Sequence, residues 1–189
     1  IMLNTTILQL FISHSLGSPL LTPSGSMHIS KSSFSFFSSN LLYSHYSTSI
    51  AHTKFLNFLS TAIKIINFDR KYNNEVINSR IEVKDDSLHI YFCLFSKCVG
   101  IAGGGGGAIF ISGGTIEVNF TGFQSCHVSY DRSLGGAIYS DSNSVIFNGL
   151  CLDNCYATDY GQSIYLLDSE SHLEFITITQ CGIGSTSSF

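Results

Sequence analysis

Charge is the first thing this chain lacks. Only 12% of its residues are Asp, Glu, Lys or Arg, about half the usual share. The nine Lys and Arg residues are scattered, and the formal net charge is −4. A nucleic-acid binder needs a basic stripe to release counterions from phosphates, so that class is set aside. Long apolar runs are missing too. The longest are a few residues, broken by Ser, Asn and Lys, whereas a spanning helix needs roughly 20 apolar residues. The opening residues, Ile1 to Ser13, have neither the basic start nor the clean apolar middle of a signal peptide, and they read as a strand. Aromatic residues, at 13%, are too plentiful for a disordered chain, and 189 residues suffice for one domain with a sizeable core. Low charge beside abundant Ser, Thr and Gly fits strands that stack polar faces on one another.

What is present is a repeat. Ile116-Glu117-Val118-Asn119-Phe120 leads to Phe123-Gln124-Ser125-Cys126, Leu88-His89-Ile90-Tyr91-Phe92 leads to Phe95-Ser96-Lys97-Cys98, and Val145-Ile146-Phe147 leads to Leu152-Asp153-Asn154-Cys155. Each is followed by a Gly-led turn and a short strand, as at Gly106-Gly107-Ala108-Ile109 and Gly135-Gly136-Ala137-Ile138. Taking each Cys as an anchor, the pattern extends to Cys181 downstream and to His14, Asn40 and Asp69 upstream, at spacings of 26–29 residues. Three residues before the anchors stand Phe11, Phe37, Ile66, Phe95, Phe123, Leu152 and Ile178. Six before stand Leu8, Phe34, Ile63, Phe92, Phe120, Gly149 and Phe175.

Alternation points to strands, since Ile116, Val118 and Phe120 share a face with Glu117 and Asn119 between them. The expected fold is all-β: a parallel β-helix of about seven coils, a one-dimensional stack some 30 Å long at roughly 4.8 Å per coil. Residues 1–189 form one such segment, with clear coils over 88–189 and degenerate ones over 1–87. With no cap visible at the final coil, the chain reads as a piece of a longer one.

Gly-Gly-Ala-Ile at 106–109 and 135–138, with Phe-Ser-Ser-Asn at 37–40, resembles the polymorphic outer-membrane-protein repeat, which pairs GGA(I/L/V) with FxxN in each coil. The resemblance implies a right-handed β-helix, at the cell surface or secreted, often an adhesin. The departure lies at the anchor, where Cys98, Cys126, Cys155 and Cys181 replace the family's Asn. The divergent Cys-bearing repeats of large protist surface proteins are more similar.

Chemistry-bearing constellations are thin. The four anchor cysteines read as a ladder of small buried thiols, though stacked coils would also bring neighbours within disulfide range. A zinc site is disfavoured, because no C-x-x-C occurs and stacked ligands do not converge tetrahedrally. Gly103 to Gly107 lacks the Lys-Ser/Thr of a phosphate cradle and reads as a corner. Since β-helix proteins include polysaccharide lyases and hydrolases, the best catalytic candidates are Asp131, Arg132 and Asp159, in loops after successive anchors. Solvated loop charge explains them more cheaply. His14 reads as a satisfied core polar group. Asn4 and Asn119 head glycosylation sequons.

The leading expectation is a non-enzymatic surface or secreted protein, adhesive or a spacer, whose partners are host-cell or matrix glycans or proteins. No cofactor is expected. The rivals are a polysaccharide-active enzyme and a purely structural stack, and fold alone does not choose among them.

Overall fold

The computed structural model describes residues 5–15, 20–22, 27–38, 42–44, 48–59, 62–66, 87–100, 105–167 and 170–181. Among them the chain is all-β, with no helix, and the strand pairings are parallel. The first sheet contains, in order, Thr5–Leu8, Met27–Ser30, Thr48–Ala51, Ser87–Tyr91, Thr115–Asn119, Ser144–Asn148 and Glu170–Glu174. The second contains Phe11–Ser15, Ser33–Phe37, Lys54–Leu56, Leu94–Ser96, Gly122–Gln124, Cys151–Asp153 and Thr177–Thr179. A third runs from Leu20–Thr22 through Leu42–Ser44, Ile63–Ile66, Ile109–Ser112 and Ile138–Asp141 to Ile164–Leu166. A short fourth joins Val99–Gly100, His127–Val128 and Tyr156–Ala157. The chain visits the sheets in turn and returns to the first one strand further along.

In-register pairing puts like residues over like. Ile29, Ile50, Ile90, Val118 and Phe147 form one buried column in the first sheet. Phe34, Phe55, Phe95, Phe123 and Leu152 form another in the second. The rings of Phe55, Phe95 and Phe123 stack at 4.6 and 5.0 Å. A strand pair alone could not bury these side chains; the neighbouring repeats do so for each other.

Two corners bound the strands of the second sheet, one on the side of the first sheet and one at the far end. At each, one residue takes a left-handed φ. The first corner uses Gln9, Lys31, His52, Phe92, Phe120, Gly149 and Phe175, and the second uses His14, Phe36, Asn57, Lys97, Ser125, Asn154 and Gln180. The corner N–H donates to a carbonyl of the next repeat, as from Phe92 to Asn119 at 3.1 Å and from Lys97 to Gln124 at 2.8 Å. Where its side chain is described, the residue after the left-handed position faces the core, and several of the polar ones cap the carbonyl two residues back. Ser32, Thr53 and Thr121 do this with hydroxyls at the first corner. Cys98, Cys126 and Cys155 do it with thiols at the second, where Phe37 and Phe58 fill the same column in earlier repeats.

The Gly-Gly-Ala turns are backbone-tight. Gly106 and Gly135 have φ of 69° and 63°. A Cβ at Gly107 would lie 2.4 Å from the carbonyl oxygen of Gly136, so the stacked turns leave no room for a side chain.

The upstream register differs from the expected one. Phe95, Phe123, Leu152 and Ile178 share a column, but it continues through Phe55 and Phe34 to Ile12. Phe11 is instead 74% exposed and pairs with Ser33. Phe37 pairs with Ser15, in the column that later holds the cysteines, and stacks on Phe58. Ile66 belongs to the third sheet, opposite Ser112. His14 is an exposed corner residue stacked on Phe36 at 4.7 Å, not a core group. The physical reason is uneven repeat length: Phe34 to Phe55 spans 21 residues and Phe55 to Phe95 spans 40. Asn40 and Asp69 lie outside the described residues. Phe92, Phe120 and Phe175 are also displaced from their expected inward face. Each stands at a left-handed corner, which ends the alternation, and each is more than half exposed.

Candidate functional site

The outer face of the second sheet and its flanking corners concentrate two unusual features. The first is exposed aromatics in a conformation that opposes them. Phe36, Phe92 and Phe120 have φ of 58°, 52° and 49°, a region that costs an L-residue about 1–2 kcal/mol and is an outlier for a bulky one. They are 51–55% exposed. His52, Phe92 and Phe120 stack in sequence at 5.3 and 5.2 Å, nearly parallel. Beside them His52, Lys54, Phe92, Leu94 and Phe120 line a shallow groove of about 400 Å³.

The second feature is the sign of the charge. Lys31 and Lys97 occupy corners and Lys54 the strand between, all exposed. No carboxylate occurs in the first five strands of this sheet or their corners, and Asp153 is the first on its strands. The lysines that look scattered in sequence are gathered by the register onto one face, with ring edges and Ser33, Ser35 and Ser96 between them.

A different cluster stands outward on the first sheet. His89 Nδ1 lies 2.8 Å from Glu117 Oε2, an ion pair when the imidazole is protonated. Asn119 Nδ2 donates to Glu117 Oε1 at 2.7 Å. Burial alone would raise the Glu117 pKa, but hydrogen bonds from Tyr91, His89 and Asn119 outweigh it and hold the carboxyl below its ordinary value. The Tyr91 phenol is pushed up to about 12, first by burial and then by Glu117. In-register neighbours of Glu117 are His89 and Ile146, so no second carboxylate faces it.

The expected catalytic trio is not assembled. Asp131, Arg132 and Asp159 are exposed, and among the described residues none enters an ion pair. The Asp159 N–H donates to Ser133 O at 3.1 Å, so Asp159 stacks on Ser133 and not on Asp131. Asn119 faces outward but is half-buried, with Nδ2 engaged and Oδ1 buried without a partner. Asn4 lies outside the described residues.

All six thiols are free. Cys98, Cys126 and Cys155 are buried in one column, and Cys181 continues it half-buried, its sulfur accepting from the Cys155 N–H at 3.2 Å. Burial pushes the Cys126 thiol up; for Cys155 the bond to Cys126 does so first and burial second. Such thiols are poor nucleophiles. No group of three or more His, Cys, Asp or Glu converges among the described residues.

No family model, curated protein or solved structure matches this chain. The function of the face must therefore be read from its own chemistry. Sequence spacing conceals the face, because it sets Phe92 and Phe120 inward and leaves the lysines unrelated. One signal could have found it. Phe34-x-x-Phe37 and Phe55-x-x-Phe58 match Phe95-x-x-Cys98 at unequal spacing, and that alignment brings Lys54 beside Leu94.

Proposed function

We propose that the chain is a right-handed parallel β-helix of seven coils that binds anionic glycans along its second-sheet face, as a non-enzymatic adhesive segment of a surface or secreted protein. Two parallel sheets of seven strands support the coil count. The observation that carries the binding role is the exposed aromatic stack held at a backbone cost beside Lys31, Lys54 and Lys97, on a stretch of strands and corners that holds no carboxylate. Stacked corners impose the conformation on whichever residue stands there; a bulky ring is the residue it suits least, and outward recognition gives a reason for placing one there. Lysines attract sulfate or carboxylate groups along a polymer, while ring edges and Leu94 meet the apolar faces of sugar rings.

Titration with a sulfated glycosaminoglycan, a polyuronate and a neutral polymer of similar length tests this. The charged polymers should bind, more weakly at high salt. The pair Lys54→Ala and Phe92→Asn should each lower affinity about tenfold. Equal binding of the neutral polymer, or none of any, would sink the reading. Display at the cell surface is checked by antibody labelling of intact cells that express the full-length protein.

A further inference from the structure

On the first sheet, alternation turns Leu88, Ile90, Ile116 and Val118 into the core. It therefore sends Ser87, His89 and Tyr91 outward on one strand and Thr115, Glu117 and Asn119 outward on the next. In-register pairing sets Ser87 beside Thr115, His89 beside Glu117 and Tyr91 beside Asn119.

The polar bonds of this patch run in one line. Ser87 Oγ lies 3.1 Å from His89 Nε2, and His89 Nδ1 lies 2.8 Å from Glu117 Oε2. An ionised carboxylate only accepts hydrogen bonds, so the ring proton stands on Nδ1. Nε2 is left as the acceptor, and the Ser87 hydroxyl donates to it. The carboxylate is held from its other side, where Oε1 accepts from Asn119 Nδ2 at 2.7 Å. Cross-strand pairing would need only the contact of His89 with Glu117. It does not call for a hydroxyl on the far ring nitrogen. The His89 and Glu117 side chains keep 35% and 28% of their surface, so a substrate can reach the imidazole. Thr115 is exposed beside Ser87, and among the described residues its hydroxyl has no hydrogen-bond partner.

We propose that Ser87, His89 and Glu117 form a Ser-His-Glu triad that hydrolyses esters of short acyl groups. Such triads are recognised by geometry and role, not by sequence position. Ser87 Oγ attacks the carbonyl carbon as its proton passes to His89 Nε2. The bond to the leaving oxygen then breaks, and the imidazolium returns that proton to it, releasing the alcohol. Water attacks the acyl-Ser87 by the same route, giving its proton to Nε2 and restoring the serine as the acid departs. Glu117 holds the ring and its charge without taking a proton. The Thr115 hydroxyl is the donor at hand for the developing oxyanion. One such donor gives modest stabilisation, which suits an ester, whose alkoxide leaves more readily than the amine of an amide. Ile146, next in the column after Glu117, is 41% exposed. One apolar side chain can meet a short acyl group but cannot cover a long one. The adhesive role needs no chemistry on the second sheet, and none of its lysines or rings takes part here, so the two properties are tested separately.

Hydrolysis of phenyl acetate by the 189-residue chain tests the triad. Exposed imidazoles cleave such esters unaided, so the reference is Ser87→Ala, which keeps all seven histidines. Wild type should exceed both Ser87→Ala and His89→Gln by at least about tenfold. Glu117 acts through His89, so Glu117→Gln should lower kcat by a similar factor and leave KM unchanged, a split that general loss of structure would not give. All three substitutions lie on the outer face and leave the core untouched. A fluorophosphonate should modify Ser87 of the wild type, as peptide mapping reads, and spare it in His89→Gln. Hydrolysis by Ser87→Ala equal to that of wild type, or phosphonylation with no preference for Ser87, would overturn the proposal.

Discussion

At the scale of single residues, the cysteines and the corner phenylalanines take opposite positions. A thiol is small, apolar enough for the core and still able to donate to a carbonyl, so Cys98, Cys126 and Cys155 do at one corner what Thr53 and Thr121 do at the other. The fold favours the neutral form of Cys126 and Cys155, and burial pushes the Cys93 thiol up to about 11. Because these folded-state values are raised, the stability they contribute is complete below the unfolded thiol value, near 8.5. It drains away as pH rises from there through the folded values. Melting midpoints should therefore fall between about pH 8.5 and 11, and Cys93→Ser should flatten that decline. Exposed Cys151 should react with a thiol reagent at once, and Cys98, Cys126 and Cys155 only on unfolding, as peptide mapping would read. The phenylalanines stand where the backbone disfavours them. Asn tolerates φ of 49° far better than Phe does, so Phe120→Asn should keep stability within about 1 kcal/mol of wild type while glycan binding falls. A large loss of stability in calorimetry would mean the ring serves packing instead.

At the scale of elements, register decides which of two similar side chains matters. Phe55 and Phe11 both sit in short second-sheet strands, and sequence spacing assigns Phe11 to the core ladder. The structure buries Phe55 between Phe34 and Phe95 and leaves Phe11 exposed. Denaturant unfolding should find Phe55→Ala costly by about 3–5 kcal/mol and Phe11→Ala near neutral, within about 0.5 kcal/mol. The reverse order would restore the even-spacing register. The strands themselves were legible from Ile116, Val118 and their alternating neighbours, and the turns from Gly106-Gly107 and Gly135-Gly136. The corners were not, because a left-handed φ at Phe or Lys has no propensity signature; the stacking of adjacent repeats imposes it.

For the whole molecule, stability should add repeat by repeat, since the contacts run between neighbours. Excising residues 120–148 joins Asn119 to Gly149, which occupies the corner position that Phe120 leaves. The shortened chain should keep its β spectrum and melt cooperatively at a lower temperature. A ten-residue excision in the same place breaks the register of all three large sheets and should leave the chain unfolded by circular dichroism.

The sequence by itself determined the all-β class, the repeat over residues 88–181 and the Cys column, because these are carried by side-chain identity at near-constant spacing. Only the tertiary structure decided the register before residue 88, the outward setting of Phe92 and Phe120, the gathering of Lys31, Lys54 and Lys97 on one face, and the separation of Asp131 from Asp159. The outward setting of Phe92 and Phe120 follows from the left-handed corners; the others depend on how many residues lie between successive strands of a sheet, and loops absorb insertions at little cost. A change of a few residues there leaves the local pattern unaltered and moves every side chain beyond it to a new neighbour.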